Sequence, residues 1–172
     1  MGRKIKMSFS SSDKDSAFSY IHDFGFIPKV KVVDGEEQRG FKVMLGGGLG
    51  AQPILAYEIF DFLAEDDFIP YIEATLRVFD RHGERNNRNK ARFKYLIQKL
   101  GLESVLALIE EEKTAIKSKK VKVDRNLIQQ PAAPTGEVVD EQAIDQIGFE
   151  IWKQTNVFEQ KQKGYYGVYA NI

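Results

Sequence analysis

Two lysines, Lys4 and Lys6, lie two apart near the start of the chain, where Lys4, Lys6 and Ser8 alternate with Ile5, Met7 and Phe9. That alternation is the period of a half-buried strand, and it sets both ammonium groups on one side. Like charges on one face repel unless an anion or carboxylates lie between them, so the pair suits an anion clamp. It also suits an edge strand whose solvated lysine face discourages aggregation, and on spacing alone that is the simpler account. A second cluster comprises Arg81, Arg85, Arg88, Lys90, Arg92 and Lys94, with Glu84 the one acid among them. Read as one helix, Arg88 and Arg92 lie four apart and share a face. Intrahelical pairing cannot neutralise them. Guanidinium forks suit carboxylates, while a solvated helix face and phosphate-backbone binding are the alternatives.

Between the two clusters lies Gly46-Gly47-Gly48-Leu49-Gly50, with four glycines in five positions. Glycine lets backbone N–H groups come close to a bulky ligand. The loop lacks the Gly-Lys-Ser/Thr ending of a Walker A motif. Gly46, Gly48 and Ala51 fit Gly-x-Gly-x-x-Gly/Ala loosely, but the strand before them belongs to a hairpin and Pro53 disfavours an immediate helix. A dinucleotide site is therefore disfavoured, and a structural turn stays open as an alternative.

The elements that must position these groups read as an α+β domain. Phe26 to Val33 and Arg39 to Leu45 are strands joined through the turn dipeptide Asp34-Gly35, with a loop of several residues. Ser16 to Ile21 and Ala56 to Leu63 read as short helices. Asp67 is the expected N-cap of a helix with Pro70 in its first turn, Ile69, Ile72, Leu76 and Phe79 on its apolar face, and Gly83 at its end. Lys90 to Leu100 forms another helix, stopped by Gly101. Glu103 to Ile116 forms a third, with Val105, Leu106 and Ile109 inward and Glu110 to Glu112 solvated. The expected division is 1–124 as one domain, 125–140 as a linker containing the polar stretch Gln129 to Gly136, and 141–172 as a further piece. That piece reads as a helix over Glu141 to Thr155 and a strand from Gly164, too little to bury a core of its own. It is expected to dock, to pair with another copy, or to stay partly disordered.

Composition bounds the function. Positive and negative side chains number 25 each, which argues against a general nucleic-acid or membrane binder. No cysteine occurs, so disulfides, thiolate-held zinc and a self-held iron–sulfur cluster are excluded. With His22 and His82 the only histidines, no metal site is expected. No apolar run approaches the roughly 20 residues of a membrane span, and no signal peptide is visible, so a cytoplasmic protein is expected.

Three pieces, in order, resemble the nitrite/sulfite reductase haemoprotein family: Arg3-Lys4-Ile5-Lys6; Val43-Met44-Leu45-Gly46-Gly47-Gly48-Leu49; and Gly83, Arg85, Arg88, Ala91, Arg92 and Lys94. The likeness spans roughly residues 3 to 117. The segment from Trp152 is similar to the opening of the family's second ferredoxin-like half-domain. The resemblance implies a sirohaem-binding domain with a mixed sheet and packed helices, followed by an incomplete ferredoxin-like α/β piece. It implies that Lys4 and Lys6 hold the sulfite or nitrite oxyanion. It implies too that Arg3, Gly46, Gly47, Gly48, Arg85, Arg88, Arg92 and Lys94 contact sirohaem, with Arg92 and Lys94 foremost on its carboxylates.

The parent would reduce sulfite or nitrite by six electrons drawn from ferredoxin or a flavoprotein, using sirohaem and a 4Fe–4S cluster. The cluster's cysteines and further substrate-holding arginines have no counterpart in this sequence, which therefore reads as a middle excerpt. The excerpt is expected to be inactive and colourless, with no cofactor bound and with self-association through its C-terminal segment an open course. Two rivals remain: a stand-alone cysteine-free binding module for a tetrapyrrole, nucleotide or nucleic acid, and an interaction domain pairing with its own copy.

Overall fold

The computed structural model describes residues 3–127, 145–161 and 163–170. The chain divides into two compact units, Met1–Val123 and Asp124–Ile172. The linker expected over Gln129 to Gly136 lies outside the described residues, as do the first residues of the helix expected from Glu141.

The first unit is built on a mixed four-stranded sheet in the order β1 (Met7–Phe9), β2 (Phe24–Val33), β3 (Glu36–Leu45) and β4 (Tyr57–Ala64). β1 runs parallel to β2, and the remaining pairs are antiparallel. Three helices follow, α1 (Glu65–His82), α2 (Phe93–Leu100) and α3 (Leu102–Ala115). In β2 and β3 the alternation puts Phe24, Phe26, Val43 and Leu45 on one face, where they meet Tyr71, Val78 and Phe79 of α1, Phe93 and Ile97 of α2, and Val105 and Ile109 of α3. Gly25, Ile27 and Met44 fall on the other face, beneath a 3-10 turn at Ser19–Ile21. A Cβ at Gly25 would stand 2.3 Å from the Ser19 carbonyl, so that face admits only glycine there. Among the described residues, no helix is long and apolar enough to cross a membrane.

Several expectations are corrected. Tyr57 to Ala64 is a strand, not the helix expected over Ala56 to Leu63. Tyr57, Ile59, Phe60 and Phe62 favour extended backbone, and the edge of β3 was open to pair with them. The β2–β3 connection is a two-residue turn, since Val33 pairs with Glu36. Asp34 and Gly35 both have positive φ, at 53° and 83°, as a type I′ turn requires. The helix expected over Ser16 to Ile21 contracts to the 3-10 turn.

α1 begins two residues before Asp67, with Ala64 at its N-cap and Glu65, Asp66 and Asp67 offsetting the dipole of its first turn. Its buried stripe is Tyr71, Ala74, Thr75, Val78 and Phe79, and Ile69 is exposed. Pro70 now falls in the second turn, where its missing N–H frees the carbonyl of Asp66. The Val121 N–H donates to that carbonyl at 2.9 Å. Glu112 on α3 is buried, not solvated, and it accepts from Arg81. Arg88 and Arg92 do not share a helix: Arg88 opens a 3-10 turn, and Arg92 is the N-cap of α2. In β1 it is Ser8 that is buried, on the Gly25 face under the segment that follows, while Met7 and Phe9 on the Phe24 and Phe26 face are exposed because β1 is an edge strand.

The second unit holds α4 (Gln146–Asn156) and a two-stranded sheet of β5 (Val157–Glu159) and β6 (Tyr166–Val168). The Asp145 side chain caps α4 through the Gly148 N–H. No residue of α4 is buried, and Ile147, Ile151, Trp152, Tyr166 and Tyr169 are exposed.

Phe26 is fully buried, and its ring meets those of Phe9, Phe24, Phe41 and Phe68. Phe26→Ala should therefore lower stability by about 3–5 kcal/mol, whereas Phe9→Ala at the half-exposed rim should cost well under that. Urea unfolding of both variants followed by Trp-independent far-UV circular dichroism measures the difference, and equal losses would place the core elsewhere.

Candidate functional site

The two cationic clusters meet through an acid that sequence reasoning passed over. Asp23, directly before β2, is fully buried. Its Oδ1 accepts from Arg92 Nε at 3.1 Å and its Oδ2 from Arg92 Nη2 at 2.7 Å, a side-on fork. Oδ2 also accepts from the Lys6 N–H at 2.8 Å, and the Asp23 carbonyl accepts from the Gly46 N–H at 2.8 Å. A carboxylate can be buried only when it is paired and hydrogen-bonded, and these contacts meet that requirement. The only sequence signal was an acid abutting a buried apolar run. Its partner is 69 residues away, which spacing could not reveal.

The glycine loop is shaped by packing. Gly46, Gly47 and Gly48 are all buried. Gly46 has φ of 86°, and a Cβ there would stand 2.3 Å from Ile97 Cδ1. A Cβ at Gly47 would stand 2.3 Å from the Tyr20 carbonyl oxygen and 2.8 Å from that of His22. Gly48 and Ile54 exchange both backbone hydrogen bonds at 2.9 Å, closing the loop. Lys94 is buried beneath it, with Nζ donating to the carbonyls of Gly48, Leu49 and Gln52. Burial pushes the Lys94 ammonium below the ordinary lysine range, neighbouring Arg92 acts in the same direction, and Asp23 opposes both. A Cβ at Gly48 would stand 3.4 Å from both Arg92 Nη2 and Lys94 Cδ.

Of the residues singled out in the sequence, Arg3, Lys4, Arg88 and Arg92 come together with Ala91 around a cavity of about 430 Å³. No acid lines it. The Arg3 guanidinium is steadied by the Arg85 carbonyl. Lys4 and Lys6 are both exposed, on backbone that precedes β1. Among the described residues no ion pair or side-chain hydrogen bond engages Lys4, Lys6 or Arg88. Arg85 does not line the cavity. It turns to the end of α1, donating to the carbonyls of Phe79 at 3.0 Å and Asp80 at 2.6 Å and pairing with the Asp80 carboxylate. The glycines and Lys94 likewise stand behind the cavity lining.

Such an arrangement can bind an anion with several carboxylate or oxyanion groups. Four cations, of which Lys4 and Arg88 have no ion-pair partner among the described residues, fit the carboxylates of a tetrapyrrole of the sirohaem kind. An iron–sulfur cluster does not fit: the chain has no thiolate to offer, and the described residues contain no group of acids and histidines able to hold a metal.

The family model described as "Nitrite and sulphite reductase 4Fe-4S domain" matches residues 1–117. The chain is 35% identical over 122 residues to a sulfite reductase [NADPH] hemoprotein beta-component of Shewanella pealeana, a match covering 67% of this chain and 21% of that one. It is 32% identical over 114 residues to an assimilatory ferredoxin-dependent nitrite reductase of Haloferax mediterranei, covering 65% and 20%. The solved structure of the Mycobacterium tuberculosis NirA protein is similar with a TM-score of 0.56 and 28% identity, over 70% of this chain and 21% of that one. The chain thus spans about a fifth of the length of the curated relatives it matches.

The geometry separates structural cations from available ones. Lys94→Met removes a donor from three loop carbonyls, of which only that of Gly48 keeps another in the Ile54 N–H, and should cost about 1–3 kcal/mol, with faster amide exchange at Gly48 and Ile54. Arg88→Met removes an unpartnered charge and should stay within about 0.5 kcal/mol of the parent. Equal losses in urea unfolding would show that both cations serve the fold.

Proposed function

The chain belongs to the nitrite and sulphite reductase 4Fe-4S domain family, and from that premise we propose that its first unit forms the cationic wall of a sirohaem site in a longer sulfite or nitrite reductase. The observation that carries this is the acid-free cavity where Arg3, Lys4, Arg88 and Arg92 converge. When bound, sirohaem supplies the redox-active iron at which the substrate anion takes up electrons. The residues of this chain bind and orient. Arg88 and Arg92, with Arg3, hold carboxylates of the macrocycle. Lys4 and Lys6 offer exposed ammonium groups that attract the oxyanion, offset the charge that accumulates on it, and donate protons to its oxygens. Arg85 and Lys94 contribute from behind, one fixing the Arg3 contact and the other the loop.

The cluster thiolates must come from outside these 172 residues, so the chain alone catalyses nothing and the six-electron reduction belongs to the longer protein. The lysine pair serves sulfite and nitrite equally. The relatives' names span NADPH-linked and ferredoxin-dependent enzymes, which supports a flavoprotein or a ferredoxin as donor. A cytoplasmic setting and a C-terminal piece that opens a second ferredoxin-like half-domain complete this reading.

In the longer enzyme, Lys4→Met and Lys6→Met should each leave sirohaem content unchanged. Turnover should fall by the equivalent of about 2.7–4 kcal/mol, a hundred- to a thousandfold, as for other preorganised charge-assisted contacts. Arg88→Met and Arg92→Met should lower sirohaem content first, read from the Soret band. Near-normal turnover in both lysine variants would sink the assignment.

The second unit favours a self-association reading, because Ile151, Trp152, Tyr166, Val168 and Tyr169 are all exposed around a sheet of only two strands. Light scattering after size exclusion should show a concentration-dependent dimer for the full chain and a monomer for a chain ending at Asp124. Monomers in both would end that idea.

A further inference from the structure

Asp23 lies beneath the anion site and does not line it. Its contacts nevertheless reach both segments that line the site and the glycine loop behind them. Lys6 is held on both sides: its N–H donates to the Asp23 carboxylate at 2.8 Å, and its carbonyl accepts from the Phe24 N–H at 3.1 Å. The Asp23 carbonyl holds Gly46, the first residue of the glycine loop. The fork to Arg92 uses Nε and Nη2, so Nη1 keeps its hydrogens without a partner among the described residues, on a side chain that lines the cavity. None of these segments is in regular secondary structure at the contact. Residues 4–6 precede β1, Gly46 follows β3, and Arg92 is an N-cap, so sheet pairing and α2 bring these segments near one another and Asp23 joins them, its carboxylate to Lys6 and Arg92 and its carbonyl to Gly46.

Resting on the anion-site reading above, we propose that Asp23 is the positioning residue of that site, holding Lys6, Arg92 and the glycine loop in the geometry that binds a polycarboxylate tetrapyrrole. The sign of its effect makes the proposal sharp. By charge alone Asp23 offsets Arg92 and repels an anion, so removing its charge should tighten binding. If positioning dominates, removing its charge weakens binding instead.

The test uses the full chain, with the iron-free tetrapyrrole uroporphyrin III as probe. Binding is read by fluorescence quenching well below the unfolding temperature, and amide NMR spectra report the fold. Asp23→Asn should bind about tenfold or more weakly, as when a group supporting a ligand residue is lost, with shifts confined to Lys6, Gly46, Arg92 and their neighbours. Binding that is equal or tighter in a folded Asp23→Asn chain would overturn the proposal while leaving the anion site intact. The probe needs none of the iron ligation that the chain lacks and so tests the carboxylate contacts alone; if the unsubstituted chain does not bind it even weakly, the site reading fails and takes this inference with it. Should Asp23→Asn not fold, the unsubstituted chain decides. Its Arg92 Nε–H signal should exchange slowly and move with the same midpoint as the Lys4 amide during titration. An Arg92 signal that stays still while Lys4 moves would overturn the coupling.

Discussion

A fully buried carboxylate must find donors or go unfolded, and in this chain Asp23 finds them in two places that the sequence keeps far apart, the Lys6 N–H and the Arg92 guanidinium. The idealised cost of taking such a charge out of water is recovered only with good geometry and with every lone pair answered. That requirement is what ties the basic segment before β1 and the N-cap of α2 to the same end of the sheet. β2 and β3 bring Asp23 and Gly46 side by side, because Phe24 pairs with Leu45. α2 brings Arg92 to them because Phe93, Leu96 and Ile97 must bury against Phe24 and Leu45. The apolar core therefore sets where the carboxylate can be, and the carboxylate sets where the cations stand.

Once that frame exists, charge repulsion has a use. Arg3, Lys4 and Arg88 gather around one cavity without an acid among the lining residues. Ordinary surfaces relieve such crowding with a nearby carboxylate, as this chain does elsewhere with Lys29 and Asp13, Lys42 and Glu58, and Arg81 and Glu112. Leaving it unrelieved stores a preference for an anion. The rigid members behind the wall keep it from relaxing: Lys94 grips three loop carbonyls and Arg85 grips the end of α1.

Much of this scaffold was legible from the sequence, for identifiable reasons. The hairpin, α1, α2 and α3 were visible because their apolar period is set by burial against one face, and Gly101, with φ of 83°, punctuates two helices as a glycine should. The strand over Tyr57 to Ala64 was misread because Ala56, Ile59, Phe60 and Leu63 also fall at helical spacing, and only the open edge of β3 decides between the two. The family likeness names Arg3, Lys4, Arg88 and Arg92, and that they line one cavity follows only from tertiary packing. What could not be read was which cations are engaged. Lys94 and Arg88 look alike in a basic run, yet one is buried on backbone carbonyls and the other is unpartnered among the described residues.

The same distinction revises how the glycines are understood. A run of four glycines in five positions invites a ligand-cradle reading, because glycine permits close approach. Here the close approach is made by the protein itself. Ile97 occupies the space over Gly46, and the Tyr20 and His22 carbonyls occupy that over Gly47. Gly48 alone faces the functional side chains, with Arg92 and Lys94 on its flank. The loop is thus a spacer thin enough to let α2 approach the sheet until Arg92 reaches Asp23. A bulkier loop would hold the guanidinium off the carboxylate and leave both unpaired. The glycines and the ion pair are two parts of one constraint, and the cavity is what that constraint leaves exposed.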